Sequence, residues 1–264
     1  MVQRRLRRVP LYEGDDKVIF EGPEPGTLVH HFKDEAVFSN RRSVIQGKGV
    51  LNNRISELIM AKLSEMGIPT HFVRRLNMRE QVVRALDMLP LRVVVRNYAA
   101  GSLVSRLDLE EGGRLPRTIV EFYRGTDENE SSLVSEDHIS AFGWASPPEI
   151  EEMVGLSYRV NDFLTGLFFG IGIRLVDFKL SFGRFYTDIG DDARLVIADE
   201  ITPDNCRLWD LKSNKKMDKD RFRENLGDEG AGYQEIARRL GLWGHQMMQA
   251  SFASEEKGIE YGHS

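Results

Sequence analysis

The chain has 264 residues, 41% hydrophobic and 29% charged, with a formal net charge of −5. That length supports one large domain or two small ones around a real core, and no apolar run approaches the roughly 20 residues a membrane span needs. The mildly acidic balance leaves no basic footprint for nucleic acid, and the lone Cys206 excludes a disulfide framework or multi-cysteine zinc site, which fits a reducing cytoplasm.

Arg4, Arg5, Arg7 and Arg8 open the chain without an apolar run behind them, so they read as a solvated end or local ion-pair partners and not as a secretory signal. Leu11 to Val18 predicts a glycine-containing turn entering a strand at Val18-Ile19-Phe20. Gly14 lets backbone approach a phosphate and Lys17 adds a point charge, although the P-loop pattern is absent and such a turn is ordinarily only a turn. A turn over Gly22–Gly26 and a strand over Thr27–Phe32 follow. Apolar residues at Leu51, Ile55, Leu58, Ile59, Leu63 and Met66 predict a helix over Val50–Met66, closed by Gly67. Thr70–Leu76, Gln81–Met88 and Leu91–Arg96 are strand-like, Pro90 divides the last two, and Asn77-x-x-Glu80 offers a capping box.

Arg96-Asn97-Tyr98-Ala99-Ala100-Gly101-Ser102 places an arginine at a strand end before a small-residue turn. This is a cradle for a phosphate monoester or a tight turn with a satisfied arginine. Ser135-Glu136-Asp137-His138 starts a short helix. Ser146-Pro147-Pro148-Glu149 starts a longer one, with cap, early proline and N3 glutamate in place. Its apolar positions run from Ile150 to Phe168, and it stops near Gly170 or Gly172.

In the strand Val176–Phe182, alternation puts Val176, Phe178, Leu180 and Phe182 on one face and Asp177, Lys179 and Ser181 on the other. A hairpin around Asp188–Asp192 leads to Leu195–Glu200, then to Asp204, Arg207 and Asp210. Carboxylates converging beside Lys and Arg suit magnesium and phosphate groups, or else form a surface salt-bridge cluster. Met217–Arg223 is mixed charge that would normally be a solvated face. A last amphipathic helix covers roughly Tyr233–Leu240, the tail after Trp243 loses periodicity, and Met247-Met248 reads as a packing or dimer contact. Strands in runs argue for α+β: a small antiparallel β-rich lobe over residues 1–90 and a larger α+β lobe over 91–264, with a cleft between them.

The segments LYEG, GKGVLNNRIS, GIPTHFVRRL, VVVRNYAAGSLVSRL, LVDFKLSFG, ADEITPDNCRLWD and MDKDRFRENLG resemble, in register from about residue 11 to 241, the phosphoribosylaminoimidazole-succinocarboxamide synthase (SAICAR synthetase) family. The resemblance implies an ATP- and magnesium-dependent carboxylate–amine ligase of de novo purine biosynthesis. It would join the carboxylate of carboxyaminoimidazole ribotide to the amine of L-aspartate, giving SAICAR, ADP and phosphate. Small-molecule substrates, no nucleic-acid or membrane partner, a cytoplasmic location and a homo-oligomer, most simply a dimer, are implied with it. Residue by residue, the resemblance puts Gly14 and Lys17 over the ATP phosphates, with Lys48 in the cleft. Asp177 and Asp199 fall at the magnesium positions and Lys179 beside the reacting groups. Arg96, Gly101 and Ser102 match the ribotide phosphate site, with Arg207 and Arg223 close to the same substrate. Asp204, Lys219 and Asp220 match further catalytic positions.

Three stretches depart from the family. Gly-Lys-Ala-Lys becomes Gly14-Asp15-Asp16-Lys17, so one phosphate-facing lysine is an aspartate. Asp-Asp-Ala-Thr-Ala-Phe-Asn becomes Asp34-Glu35-Ala36-Val37-Phe38-Ser39-Asn40, and a glutamate is replaced by Ser181. Serine brings no charge to a divalent ion. Besides ordinary synthetase activity, these departures leave open a divergent paralogue that binds nucleotide or ribotide with altered substrate or little catalysis. An ATP-dependent phosphotransferase is a third reading.

Overall fold

The computed structural model describes residues 8–125, 132–186 and 193–242. In chain order the elements are β1 (Tyr12–Glu13), β2 (Lys17–Glu21), β3 (Thr27–Phe32), β4 (Glu35–Phe38), β5 (Arg41–Val44), α1 (Lys48–Glu65), β6 (Phe72–Arg75), β7 (Glu80–Arg84) and β8 (Asp87–Tyr98). Then come α2 (Ser102–Leu107), β9 (Arg114–Arg124), β10 (Ser132–Val134), α3 (Glu136–Ala141), α4 (Pro147–Gly170), β11 (Ile173–Tyr186), β12 (Ala193–Ala198), β13 (Cys206–Asp210), α5 (Asp220–Arg223) and α6 (Glu229–Arg239). The Asp188–Asp192 turn, the first three N-terminal arginines and the Met247-Met248 pair lie outside the described residues.

Antiparallel pairing builds the expected α+β fold from a five-stranded sheet, β1-β2-β3-β7-β6, a six-stranded sheet, and the β4–β5 hairpin. In the six-stranded sheet, β10, β9, β8 and β11 lie side by side, and the far edge of β11 is shared. β12 pairs its C-terminal half from Ser181 to Tyr186, and β13 pairs its N-terminal half from Ile173 to Phe178. The two sheets join where Thr70 bridges Ile197 and the Ile197 amide donates to Pro69 O (2.9 Å). One large core packs Leu91, Val93 and Val95 of β8 and Phe178, Leu180 and Phe182 of β11 with the apolar stripes of α4 and α1. Every side chain named there is less than 5% exposed, and burying each stabilises by roughly 1.5–3 kcal/mol.

The Met217–Arg223 run, expected as a solvated face, is instead largely buried, with Met217, Asp218, Lys219, Asp220 and Phe222 all inside, and three further expectations change. Pro90 lies inside β8 instead of ending a strand; the break falls at Ala85-Leu86, where Ala85 N donates to Gly26 O (2.8 Å). Proline is tolerated because the β8–β11 register shifts beside it and β9 pairing begins only at Leu91, so no partner needs the missing N–H. Asn77 and Glu80 hydrogen-bond to each other (2.6 Å), but across the β6–β7 turn, with no helix to cap. Val176 leaves the face of Phe178: a bulge between Leu175 and Asp177 hands the core position to Leu175 and packs Val176 with Ala100 and Trp209.

The start of α4 is as its sequence predicts. Ser146 N donates to Glu149 Oε2 (2.7 Å), closing the capping box. Arg184 on β11 then grips both Glu149 oxygens, through Nε at 2.5 Å and Nη2 at 3.1 Å. These bonds, Arg184 first, hold the Glu149 carboxyl down at about 2. A folded value below the unfolded one means the stabilisation is complete above about pH 4.5 and is lost as pH falls toward 2. Glu149→Gln is therefore expected to cost about 1 kcal/mol at pH 7. Urea unfolding at pH 7 and pH 3 should show the gap between parent and variant narrowing in acid.

Candidate active site

The polar face of the large sheet is set by register. Across β11 and β8, Asp177 opposes Arg96, Lys179 opposes Val94 and Ser181 opposes Arg92. Across β8 and β9, Val94 opposes Glu121 and Arg92 opposes Tyr123. Since one face of these strands is core, the register also commits every one of these polar residues to the other face.

The gap between the ends of β12 and β13 falls opposite Lys179, whose amide donates to Asn205 O (2.9 Å). Through that gap the chain 199–205 emerges. Asn205 Oδ1 accepts from Thr202 N (2.9 Å), Thr202 Oγ1 donates to Glu200 Oε2 (3.1 Å), and Asp204 N donates to Thr202 Oγ1 (3.2 Å). Asp199 adopts a left-handed φ of 67°, rare outside glycine, and its carbonyl accepts from His71 Nε2 (2.9 Å). Burial pushes the His71 imidazole down to about 4, so it is neutral at pH 7.

A cavity of about 750 Å³ opens beside this loop, within the size range of small-molecule sites. Its walls include Gly14, Asp15, Asp16 and Lys17 from the β1–β2 turn, Val37, Phe38 and Ser39 from the β4–β5 hairpin, Lys179 and Ser181 from β11, and Asp199, Glu200, Asp204 and Lys219. Lys17 pairs with Asp199 and with Glu200 (3.0 Å). Burial pushes the Glu200 carboxyl up to about 7, against the pull of Lys17 and with help from Asp199, Asp204 and Asp16. Lys48 opens α1 after Gly47, whose φ of 81° turns the chain into the helix. It is 0% exposed beneath the cavity, 2.6 Å from Asp204 and 3.3 Å from Asp16. Asp204 also accepts from Asn52 (2.7 Å) and Tyr233. Burial would raise it, but Lys48 and Lys219 bring it down to about 2.

Next to the cavity lies a nest of arginines. Asp177 is 2% exposed and accepts from Arg96 Nη1 (3.1 Å) and Arg207 Nη1 (2.8 Å). Asp220 accepts from Arg207 Nε (2.6 Å) and Arg223 Nη1 (2.7 Å). Arg96 also bonds Glu121 (2.6 Å), Tyr123 (3.2 Å) and Ser102 Oγ (3.3 Å), and Arg106 pairs with Glu121. Four arginines are thus aimed by Asp177, Asp220 and Glu121, with Asp218 buried behind Asp220, a guanidinium cluster suited to an anion. At Gly101, φ is 56° and a Cβ would lie 2.7 Å from Arg207 Nη2, so the turn approaches the guanidinium as only glycine allows.

The predicted residues therefore gather into two adjoining groups. Gly14, Lys17, Lys179, Asp199, Asp204 and Lys219 line the cavity, with Lys48 below it. Arg96, Gly101, Ser102, Asp177, Arg207, Asp220 and Arg223 form the nest. Phe38 connects them, lining the cavity with the Arg223 guanidinium 5.8 Å from its ring centre. Sequence reasoning gave no site role to Asp16, Glu121 and Asp34, and took Glu200 only as part of an acidic strand end. Asp34 accepts from Gly49 N (2.9 Å) at the start of α1 and is held in a fork by Arg79 (2.7 Å to each oxygen). Its position before the β4–β5 hairpin gave no local signal of that role.

The SAICAR synthetase family profile matches residues 10–240. A phosphoribosylaminoimidazole-succinocarboxamide synthase of Acidiphilium cryptum is 61% identical over 238 residues, covering 89% of this chain and 93% of that one. The enzyme of the same name from Rhodospirillum centenum is 59% identical with the same coverage. The crystal structure of the Ehrlichia chaffeensis phosphoribosylaminoimidazole-succinocarboxamide synthase superposes with a TM-score of 0.86 at 44% identity, over 90% of this chain and all of that one. A SAICAR synthetase in complex with ADP gives 0.81 at 39% identity, over 87% of this chain and 96% of that one.

Proposed function

The chain belongs to the SAICAR synthetase family, and from that premise we propose how its two groups of residues divide the work of an ATP-dependent ligase. It condenses the carboxylate of carboxyaminoimidazole ribotide with L-aspartate, giving SAICAR, ADP and phosphate. Relatives near 60% identity bear the synthase name across nearly the whole chain, which disfavours the non-catalytic reading.

One observation carries the assignment: the arginine nest and the lysine-lined cavity meet on one face of β11, at Asp177 and Lys179. Strand geometry puts those Cα atoms about 7 Å apart, close enough for one substrate to reach both. The nest of Arg96, Gly101, Ser102, Arg207 and Arg223 seats the ribotide phosphate, while Asp177 and Asp220 aim its guanidinium groups. The nucleotide occupies the cavity, its phosphates under Gly14 and Lys17. Lys179 then stands where the terminal phosphoryl group meets the ribotide carboxylate.

The carboxylate oxygen takes the phosphoryl group and ADP leaves. The aspartate amine attacks the acyl carbon, a proton leaves the nitrogen, and phosphate departs with the bonding pair. Lys179 and Lys219 offset the negative charge that grows on these oxygens. Lys48 and Asp204 hold each other, and the Asp204 charge attracts Lys219.

The donors fit a magnesium ion. Asp199 and Glu200 offer hard carboxylate oxygens in the cavity, and Glu200, raised mainly by burial, also feels the negative charges of Asp199, Asp204 and Asp16. Among the described residues no group of three or more ligands gathers, in keeping with an ion that takes one or two carboxylates and completes its shell with phosphates and water. When bound, the ion supplies charge neutralisation on the transferred phosphoryl group. Asp177, the other carboxylate at a family metal position, lies between two arginines and acts mainly through them.

The test is aspartate-dependent ADP release with the ribotide present; none at millimolar ATP and magnesium from folded protein would sink the proposal. Complementation of a strain lacking the synthetase should succeed. Restoring both family residues in a Ser181→Glu, Asp15→Lys variant is expected to lower the magnesium concentration for half-maximal rate about tenfold. An unchanged requirement would mean these departures cost nothing. The division into lobes over 1–90 and 91–264, a homodimer and a cytoplasmic location belong to the same proposal. Light scattering should give twice the chain mass. No helix among the described residues is long and apolar enough to cross a membrane.

A further inference from the structure

Lys17, Lys48 and Lys219 at the cavity are each met by carboxylates, but not equally firmly. Lys48 holds Asp204 at 2.6 Å, deep in the protein and with two further donors on the same carboxylate. Asp16 is different. Its carboxylate spans Lys48 (3.3 Å) and Lys219 (3.1 Å), at distances longer than the Lys48–Asp204 bond. Its side chain is 25% exposed, against 0% and 8% for the two lysines it covers. Its backbone is anchored in the β1–β2 turn, where the Asp16 carbonyl accepts from Lys33 N (2.9 Å). Its carboxylate can still swing away by side-chain rotation without breaking the sheet, whereas Lys48 is held by Asp204.

We infer that Asp16 is an internal occupant of the substrate-anion seat, resting on Lys48 and Lys219 in the free protein and leaving when nucleotide phosphates enter. The inference rests on the reading of the cavity as the nucleotide site. Asp16 thereby sets how tightly the protein holds an adenine nucleotide: the phosphates must displace one carboxylate, and any Asp16 left in place repels them. The residue is a specificity determinant and takes no part in bond making. It favours ligands that bring enough negative charge to outbid a single carboxylate, so ATP and ADP are expected to bind while AMP is excluded.

Isothermal titration with ADP, on the parent and on Asp16→Asn and Asp16→Ala, tests this. Both variants are expected to bind ADP about tenfold more tightly at low salt, with the gain shrinking as salt screens the repulsion. A gain in Asp16→Ala alone also supports the inference, because an amide oxygen still accepts from the lysines. Unchanged or weaker ADP binding in both variants would overturn it, since Asp16 would then be inert or would orient the lysines for substrate. The KM for ATP should fall in step with the ADP dissociation constant. Failure here is separable from failure of the ligase reading: a parent that binds ADP but shows no aspartate-dependent turnover sinks only the latter.

Discussion

Aspartate-dependent ADP release is expected to fall about 10²–10³-fold in a Lys179→Met variant, the loss typical when one donor to a developing oxyanion is removed. Methionine keeps the length and apolar stem of the side chain, so packing against Val94, which is 5% exposed, is retained. The Lys179 amide is equally unaffected and keeps its bond to Asn205 O (2.9 Å). What disappears is a positive charge in a partly closed cavity, where charges act more strongly than in water. The melting temperature should stay within a few degrees of the parent's. ADP binding should also weaken less than turnover, because the charge is needed most where the phosphoryl group and the carboxylate meet. Activity within tenfold of the parent would remove Lys179 from the reacting centre.

The second large effect is on stability. Lys48→Met is expected to cost about 3–5 kcal/mol, the usual consequence of stripping a buried charge of its partner. Asp204 would remain buried at 6% exposure with Asn52 and Tyr233 as neutral donors, and Lys219 as its remaining nearby cation. The sign with pH follows from the Asp204 carboxyl, which in the intact protein is held down at about 2. Stabilisation by Lys48 is complete above the unfolded value near pH 4 and lost as pH falls toward 2, so the deficit of the variant should narrow over that interval. Adding Asp204→Asn to Lys48→Met should recover part of the loss, because no unpaired charge would remain. Denaturant unfolding of parent, two single variants and double variant gives the coupling directly. A double variant no more stable than Lys48→Met would mean that lost packing, and not lost charge, accounts for the effect.

Much of the fold could be read locally. Thr27–Phe32, the long helix from Pro147 and the stop at Gly67 follow from alternation, capping and a glycine that accepts a φ of 73°. The failures were equally physical. Pro90 breaks a strand only if a neighbour needs its N–H, and none does at a register shift. The displaced Val176 depends on one extra residue opposite β13, which no property of the β11 sequence announces. Arg114–Arg124 forms a strand although its apolar residues give little alternation, because β8 and β10 pair with it from both sides.

For the site, residue type and order were enough to single out Asp177, Lys179, Asp199 and Asp204, while Lys219 and the chemistry came only through the family resemblance. Their charge states and pairings were decided elsewhere. Lys17 meets Asp199 across 182 positions of chain, and Lys48 meets Asp204 across 156. Alternation and capping are set by neighbours along the chain, so the sequence alone determined that Phe178, Leu180 and Phe182 share a face and that α4 begins at Pro147. Burial and Coulomb interactions depend on distance in space. Only the tertiary structure could therefore place β12 and β13 end to end beside β11, raise Glu200 to about 7 while lowering Asp204 to about 2, and lay Asp16 across two lysines.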